Sequence, residues 1–300
     1  MIPPFLQPND KIAIISPSGI IDASLIDNAA RRLSGWDLQP VIGEFAKEQN
    51  GRFAGTKEQR RADLQQALDD KTVKAILCSR GGYGLIQIVD DIDFTQFELF
   101  PKWIIGFSDI TVLHNAAASL DIASCHSSMA KALSQKDEND AELEKLKNLL
   151  FGKLPDYTLK SHLLNRLGKC RAPVTGGNLS VLYSLRGTHF DLGTTHKILF
   201  IEDTGEKPYH IDRMLHNLKL GGLFDNLAGL IVGQFSDYDE DPTMGSVVYE
   251  LIAGIVAEYD YPVCFDFPAG HTSDNMPLVF GVNAELEVGE NSLAIKHYIQ

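Results

Sequence analysis

Lys102-Trp-Ile-Ile-Gly-Phe-Ser-Asp-Ile110 decides the reading of the first half. A short apolar run halts at Gly106, passes through Ser108 and Asp109, and continues with helical spacing over 110–120. The run over 102–105 predicts a strand and the stretch after it a helix. The same alternation recurs upstream. Residues 11–16 (KIAIIS) and 73–78 (VKAILC) are β-branched apolar runs, closed by Pro17-Ser18-Gly19 and by Arg80-Gly-Gly-Tyr-Gly84. Residues 26–33 and 58–68 carry helical spacing, 40–42 and 122–126 read as short strands, and a helix is expected after Gly84. This βαβα order predicts an α/β domain with a parallel sheet covered by helices on both faces, whose ligands bind beyond the carboxyl ends of the strands. Both Gly-containing turns, at 80–84 and 106–109, fall at such ends.

The chain has 300 residues, close to the size at which one core stops growing, so two domains are expected. Residues 1–150 form the first and include a charged helix over 135–149. Residues 151–172 are weakly periodic and read as a linker. Residues 173–300 form a mixed α+β domain, with strand-like runs at 197–201 (KILFI), 227–232 (LAGLIV), 263–265 and 284–288 and helices over 212–218 and 246–259.

Forty acidic against 27 basic residues give a net charge of −13, and no basic block of five occurs. Nucleic-acid binding, which needs clustered Lys and Arg, is therefore not expected. Cys78, Cys125, Cys170 and Cys264 are far apart and form no CxxC, which argues against a disulfide framework or a zinc site. With no apolar stretch of membrane-spanning length and no signal-like start, the expected location is the cytoplasm, away from membranes.

Several positions could carry chemistry. A strand that turns sharply into a helix leaves its turn residue exposed, with the next amides pointing outward where they stabilise an oxyanion. Ser108 occupies that turn, in a pattern similar to the G-x-S-x-G elbow except that Ile110 stands at the second glycine. The same serine equally suits a helix N-cap. Arg80-Gly-Gly-Tyr-Gly84 offers free amides and close backbone approach, or else an ordinary turn; it is neither a P-loop nor a dinucleotide fingerprint. Glu202 and Asp203 end an apolar strand, where a carboxylate either orients a histidine or caps a turn. His271, after Pro268-Ala-Gly270, suits a general base or a surface loop. No HExxH or other ligand spacing supports a metal, and the acidic run 237–241 lacks the EF-hand pattern.

Taken in order along the chain, these segments resemble the LD-carboxypeptidase family of serine peptidases. Lys11-Ile-Ala-Ile-Ile-Ser-Pro-Ser-Gly19 is similar to its opening strand and Arg80-Gly-Gly-Tyr-Gly84 to its Gly-rich loop. Gly106-Phe-Ser-Asp-Ile-Thr111 resembles its nucleophile motif, and Gly176-Gly-Asn-Leu179 the opening of its second domain. Ile201-Glu-Asp203 with Tyr209-His-Ile-Asp-Arg-Met-Leu215 resembles the segment of the triad acid. Pro268-Ala-Gly-His271, followed by Pro277 and Gly281, resembles the segment of the triad histidine. One departure stands out: His126-Ser-Ser-Met129 replaces the family's His-Gly-Pro-Met, so that Ser127-Ser128 alters a pocket wall rather than the triad.

The resemblance implies a flavodoxin-like first domain, related to class I glutamine amidotransferases, and a swivelling β/β/α second domain. It implies a Ser108–His271–Glu202 triad with oxyanion amides from Gly82 and Asp109 and no metal or organic cofactor. The implied substrate is a muropeptide, cut before terminal D-alanine during cell-wall recycling, and the implied assembly is a homodimer. Arg80, with Gly81 beside it, and Arg213 are candidates for the substrate carboxylate, though either arginine also reads as structural. Within the family, some members cleave a peptidyl-nucleotide antibiotic for self-immunity; only six residues, 203–208, separate Glu202 from Tyr209, which favours wall recycling. Outside it, the alternatives are a non-catalytic two-domain ligand-binding protein and an amidotransferase, whose elbow would carry Cys in place of Ser108.

Overall fold

The computed structural model describes residues 1–299, in two compact units: Met1–Lys153 with Met276–Leu278, and Leu154–Asn275 with the residues from Val279 onward. In the first unit, β1 (Lys11–Ile15), β2 (Gln39–Ile42), β3 (Val73–Cys78), β4 (Trp103–Gly106) and β5 (Ser124–His126) are all parallel, in the order 2-1-3-4-5. Leu278–Phe280 adds a sixth strand outside β5. This is the flavodoxin-like order, which reverses direction between β1 and β3 and opens a crevice at their carboxyl ends. Parallel strands covered on both faces read as continuous apolar runs. Accordingly Val73, Ala75, Ile76, Leu77 and Cys78 of β3 are all buried, as are Ile12 to Ile15 of β1. Each such Ile or Leu contributes about 1.5–3 kcal/mol by leaving water.

The flanking helices are fixed by their ends. Ala23–Ser34 is capped by Asp22, and Lys57–Asp69 by a Thr56–Gln59 capping box. Two expected helices differ. After Gly84 the chain makes two 3-10 turns, Leu85–Gln87 and Val89–Asp91, in place of the expected helix, and the Leu85 amide donates to the Asp109 carboxylate. The charged helix expected over 135–149 starts only at Ala141, where Asp140 caps it, and runs to Leu150; a separate short helix, Ala130–Gln135, precedes it.

In the second unit, β6 (Asp156–Lys160), β7 (Gly168–Asn178), β8 (Ile198–Thr204), β9 (Gly229–Ser236) and β10 (Val263–Cys264) are followed, after β11 (the Leu278–Phe280 strand), by β12 (Asn283–Val288) and β13 (Ser292–His297). The sheet order is 10-9-8-7-12-13-6. Strands β7 to β10 are parallel, and β12, β13 and β6 add antiparallel neighbours beside β7. Thus β6 and the start of β7 occupy part of 151–172, the stretch read as linker. At the sheet's edge β6 buries Tyr157 but exposes Asp156, Thr158 and Lys160, so its apolar signal is faint. Strand β8 is buried from Ile198 to Asp203 and ends, beside Asn178 of β7, at the two carboxylates.

Candidate active site

Three loops of the first unit converge at the crevice. The Gly19 amide donates to the Gly81 carbonyl at 3.0 Å, joining the loop after β1 to the loop after β3. Asp109 is 4% exposed, and its Oδ2 accepts from Ser18 Oγ at 2.6 Å and from the Leu85 amide at 2.9 Å. Burial raises the carboxyl pKa of Asp109, while those two bonds and the charge of Arg60 oppose the rise. The Asp109 side chain therefore ties together the loop carrying Ser108, the loop after β1 and the end of the Gly-rich segment.

Ser108 itself sits at φ +65°, in the left-handed region that costs a residue with a Cβ about 1 kcal/mol. It opens a 3-10 turn, Ser108–Ile110, that leads into the helix Thr111–Ser119. The N-cap positions of the turn and the helix are Phe107 and Ile110, so the alternative of Ser108 as a helix cap does not hold. Gly81 explains itself here: a Cβ on it would stand 2.7 Å from Ser108 Cβ and 3.0 Å from Ser108 Oγ. Behind the turn, the Gly106 carbonyl accepts from the Ser127 amide at 3.1 Å and lies 2.9 Å from His114 Nε2. A carbonyl only accepts, so His114 carries its proton on Nε2, and Nδ1 takes the Ser124 hydroxyl at 2.8 Å. Burial lowers the His114 pKa to about 4, so the ring is neutral at pH 7. Ser127 thus supplies a backbone amide to the elbow.

Gly82, at φ +106°, is exposed at the tip of its loop. Arg80 is exposed, donates from Nη1 to the Ile20 carbonyl at 2.6 Å, and lines a cavity of about 720 Å³ with Asp22, Lys47 and Lys131. Arg213, in the second unit, lies exposed on the helix Pro208–Leu220 with its guanidinium 5.4 Å from the Tyr209 ring centre.

The second unit brings Glu202 and His271 together. Glu202, at 0% exposure near the end of β8, accepts on Oε2 from His271 Nδ1 at 2.8 Å. Gly270, at φ +135°, makes room for this pair: a Cβ there would lie 3.0 Å from Glu202 Oε2 and 3.1 Å from the Gln234 carbonyl. Burial pulls the His271 pKa down, but the hydrogen bond and charge of Glu202, with the charges of Asp203 and Asp237, more than offset it and the net shift is upward. With Nδ1–H given to Glu202, the neutral ring carries its lone pair on Nε2, the arrangement of an oriented general base.

Sequence reasoning missed the partners of Asp203. Asn178 Nδ2 donates to it at 2.9 Å, as does the Ser180 amide. The conjunction of Gly176-Gly-Asn-Leu179 with a strand-ending acid was the available signal, but only the parallel register of β7 and β8 puts the two side by side. Among the described residues, no group of three or more His, Cys, Asp or Glu is placed to hold a metal ion, and no helix is long and apolar enough to cross a membrane.

Residues 12–127 match the LD-carboxypeptidase N-terminal domain and residues 171–286 the LD-carboxypeptidase C-terminal domain. The probable murein peptide carboxypeptidase of Bacillus subtilis is 33% identical, over 98% of this chain and 94% of its own. The murein tetrapeptide carboxypeptidase of Pseudomonas aeruginosa is 30% identical, over 94% of each chain. The crystal structure of muramoyltetrapeptide carboxypeptidase from Oxalobacter formigenes superposes with a TM-score of 0.85 at 26% identity, covering 97% of this chain and all of that one. The microcin C7 self immunity protein, at 20% identity and a TM-score of 0.87 over 99% of each chain, shares the fold.

Proposed function

The chain belongs to the LD-carboxypeptidase family, and from that membership we propose that it is a serine carboxypeptidase that removes the terminal D-alanine from murein tetrapeptides in cell-wall recycling. That it is an enzyme hydrolysing peptides follows from the family. The observation that carries the finer reading is the buried carboxylate of Glu202 held 2.8 Å from Nδ1 of His271, on a loop that Gly270 keeps clear.

In the proposed mechanism, His271 Nε2 takes the proton of the Ser108 hydroxyl as Oγ attacks the carbonyl carbon before D-alanine. Glu202 fixes the tautomer and stabilises the imidazolium. The amides of Gly82 and Asp109 receive the negative charge on the carbonyl oxygen. The imidazolium returns its proton to the leaving nitrogen, D-alanine departs, and water, deprotonated by His271, releases the acyl group from Ser108. Arg80 or Arg213 would hold the terminal carboxylate, with Gly81 shaping the wall beside Ser108. The left-handed backbone at Ser108 supports the nucleophile role, since strain of that kind concentrates at functional turns.

The short connection between Glu202 and Tyr209 supports a tetrapeptide over a peptidyl-nucleotide substrate, and the self-immunity likeness extends to the fold alone. The proposal includes cytoplasmic residence, where unpaired cysteines such as the buried Cys78, Cys125 and Cys264 persist as thiols, and a homodimer. Mass spectrometry of a murein tetrapeptide incubated with the protein tests it. Loss of one D-alanine, abolished by Ser108→Ala in a folded protein, is the expected result. An intact tetrapeptide would leave a ligand-binding protein as the better reading, and unchanged turnover by Ser108→Ala would remove Ser108 from the mechanism.

A further inference from the structure

Strand β8 ends in two adjacent acids, and only one has a role so far. Glu202 and Asp203 are 0% and 1% exposed. Successive strand side chains point to opposite faces, so while Glu202 turns to His271, Asp203 turns to the start of the helix Leu179–Ser184. There its Oδ1 accepts from Asn178 Nδ2 at 2.9 Å and from the Thr204 amide at 2.8 Å, and its Oδ2 accepts from the Ser180 amide at 2.9 Å. Asn178 is the N-cap of that helix, accepting from the Val181 amide, and is also the register partner of Glu202 across β7 and β8. The clamp therefore links the two neighbouring strand ends, and it does so at the residue before which Glu202 must be held.

We propose that Asp203 is a positioning residue: clamped by Asn178 and Ser180, it fixes the end of β8 so that Glu202 meets His271, and it contributes negative charge that favours the imidazolium. This deepens the proposed function and rests on it for the role of the pair. Two independent features agree. A buried carboxylate with four donors, the Ser180 hydroxyl at 3.5 Å included, is held rigidly, whereas a turn cap would be satisfied by the Thr204 amide alone. The acids whose charges reach His271 are Glu202 and Asp203 from β8 and Asp237 from the loop after β9, and all three favour its charged form. Burial, followed by the charge of Glu202, raises the pKa of Asp203 itself to about 7, so its charge is sensitive to the removal of any one donor.

Two variants separate positioning from mere stability. Asp203→Asn keeps an acceptor oxygen but removes the charge. Asn178→Ser keeps a helix cap but removes the amide that reaches Asp203. In both, kcat on murein tetrapeptide should fall by about 10²-fold with KM nearly unchanged, the effect of a small misplacement of catalytic groups. The His271 ring, titrated by NMR without substrate, should lose protons at lower pH in Asp203→Asn than in the parent, and should shift the same way by a smaller amount in Asn178→Ser, where Asp203 loses one donor and with it part of its charge. Should Asp203→Asn fail to fold, Asn178→Ser decides. Wild-type kcat in either folded variant, or an unmoved His271 titration in folded Asp203→Asn, overturns the proposal. The NMR arm needs no substrate, so a protein inactive on tetrapeptide would defeat the functional reading while leaving the effect of Asp203 on His271 measurable.

Discussion

Glu202 Oε2 lies 2.8 Å from His271 Nδ1, a pairing of a fully buried carboxylate with a half-buried imidazole. The pairing sets the pH response. A general base must be neutral to act, and His271 titrates above its ordinary value of 6.5 because Glu202, Asp203 and Asp237 outweigh burial. The acid limb of kcat/KM should therefore have its midpoint above 6.5. Glu202→Gln removes the main compensating charge and should bring that midpoint down while lowering kcat by orders of magnitude, as expected when the orienting acid of a triad is neutralised. A pH–rate profile of both proteins on murein tetrapeptide checks it; a midpoint unchanged by Glu202→Gln would contradict the assignment. For stability the sign is set by the raised pKa: protonated His271 stabilises the fold at low pH, and this contribution is lost as pH rises through the folded-state value.

Gly81→Ala tests the packing beside the nucleophile. The added methyl would stand 2.7 Å from Ser108 Cβ, the root of that side chain, so the Ser108 turn must move to admit it. Displacing a reacting group by a fraction of an ångström costs one to two orders of magnitude in rate. We expect kcat to fall by about 10- to 100-fold while circular dichroism stays native-like. Retained activity would mean that the loop after β3 yields without disturbing Ser108.

Lys102 offers a prediction away from the chemistry. It is 1% exposed, and its ammonium donates to the carbonyls of Ala67, Leu68 and Asp70 at 3.0, 2.7 and 2.7 Å, closing the end of the helix Lys57–Asp69. Lys102→Met fills the same space but takes the ammonium donor from the Ala67 and Leu68 carbonyls, while that of Asp70 keeps the Val73 amide, so a loss of about 3 kcal/mol is expected by urea denaturation at pH 7. Burial lowers the Lys102 pKa to about 8, so between that value and the ordinary 10.5 the unfolded chain binds more protons than the folded one. Parent stability should gain from this group as pH rises through that window, and the gain should be missing in Lys102→Met.

These sites differ in how far the sequence revealed them. Strands β1, β3 and β4 were legible because both faces are covered, which demands unbroken runs such as Val73 to Cys78. Strands β6 and β13 were not: each shows alternate residues to water, and their polar positions dilute the pattern. The order 2-1-3-4-5 lies in the packing of crossovers, which local periodicity does not encode. Ser108, Glu202 and His271 stood out as turn or strand-end residues, but at Ser108 the local pattern alone favoured a helix cap. Only the positive φ and the cap positions at Phe107 and Ile110 separate the two. The bond between Asn178 and Asp203 was invisible for another reason: its partners sit on different strands and meet only in the register of β7 against β8.

The backbone at Ser108 leads to a last prediction, in which stability and activity part. At φ +65° a side chain with a Cβ is strained, and glycine is not. Ser108→Ala removes the hydroxyl and keeps the strain; Ser108→Gly removes both. The two variants lose the same hydroxyl interactions, so their difference isolates the backbone. Gly gains about 1–2 kcal/mol by escaping the left-handed penalty and gives back about 0.4–1 kcal/mol through a freer unfolded chain. Ser108→Gly should therefore be the more stable of the pair by up to about 1.5 kcal/mol in denaturant titration, although both are inactive if Ser108 is the nucleophile. If Ser108→Ala proves the more stable, the turn is relaxed as it stands, and the view that the fold holds a serine under strain for its chemistry loses its support.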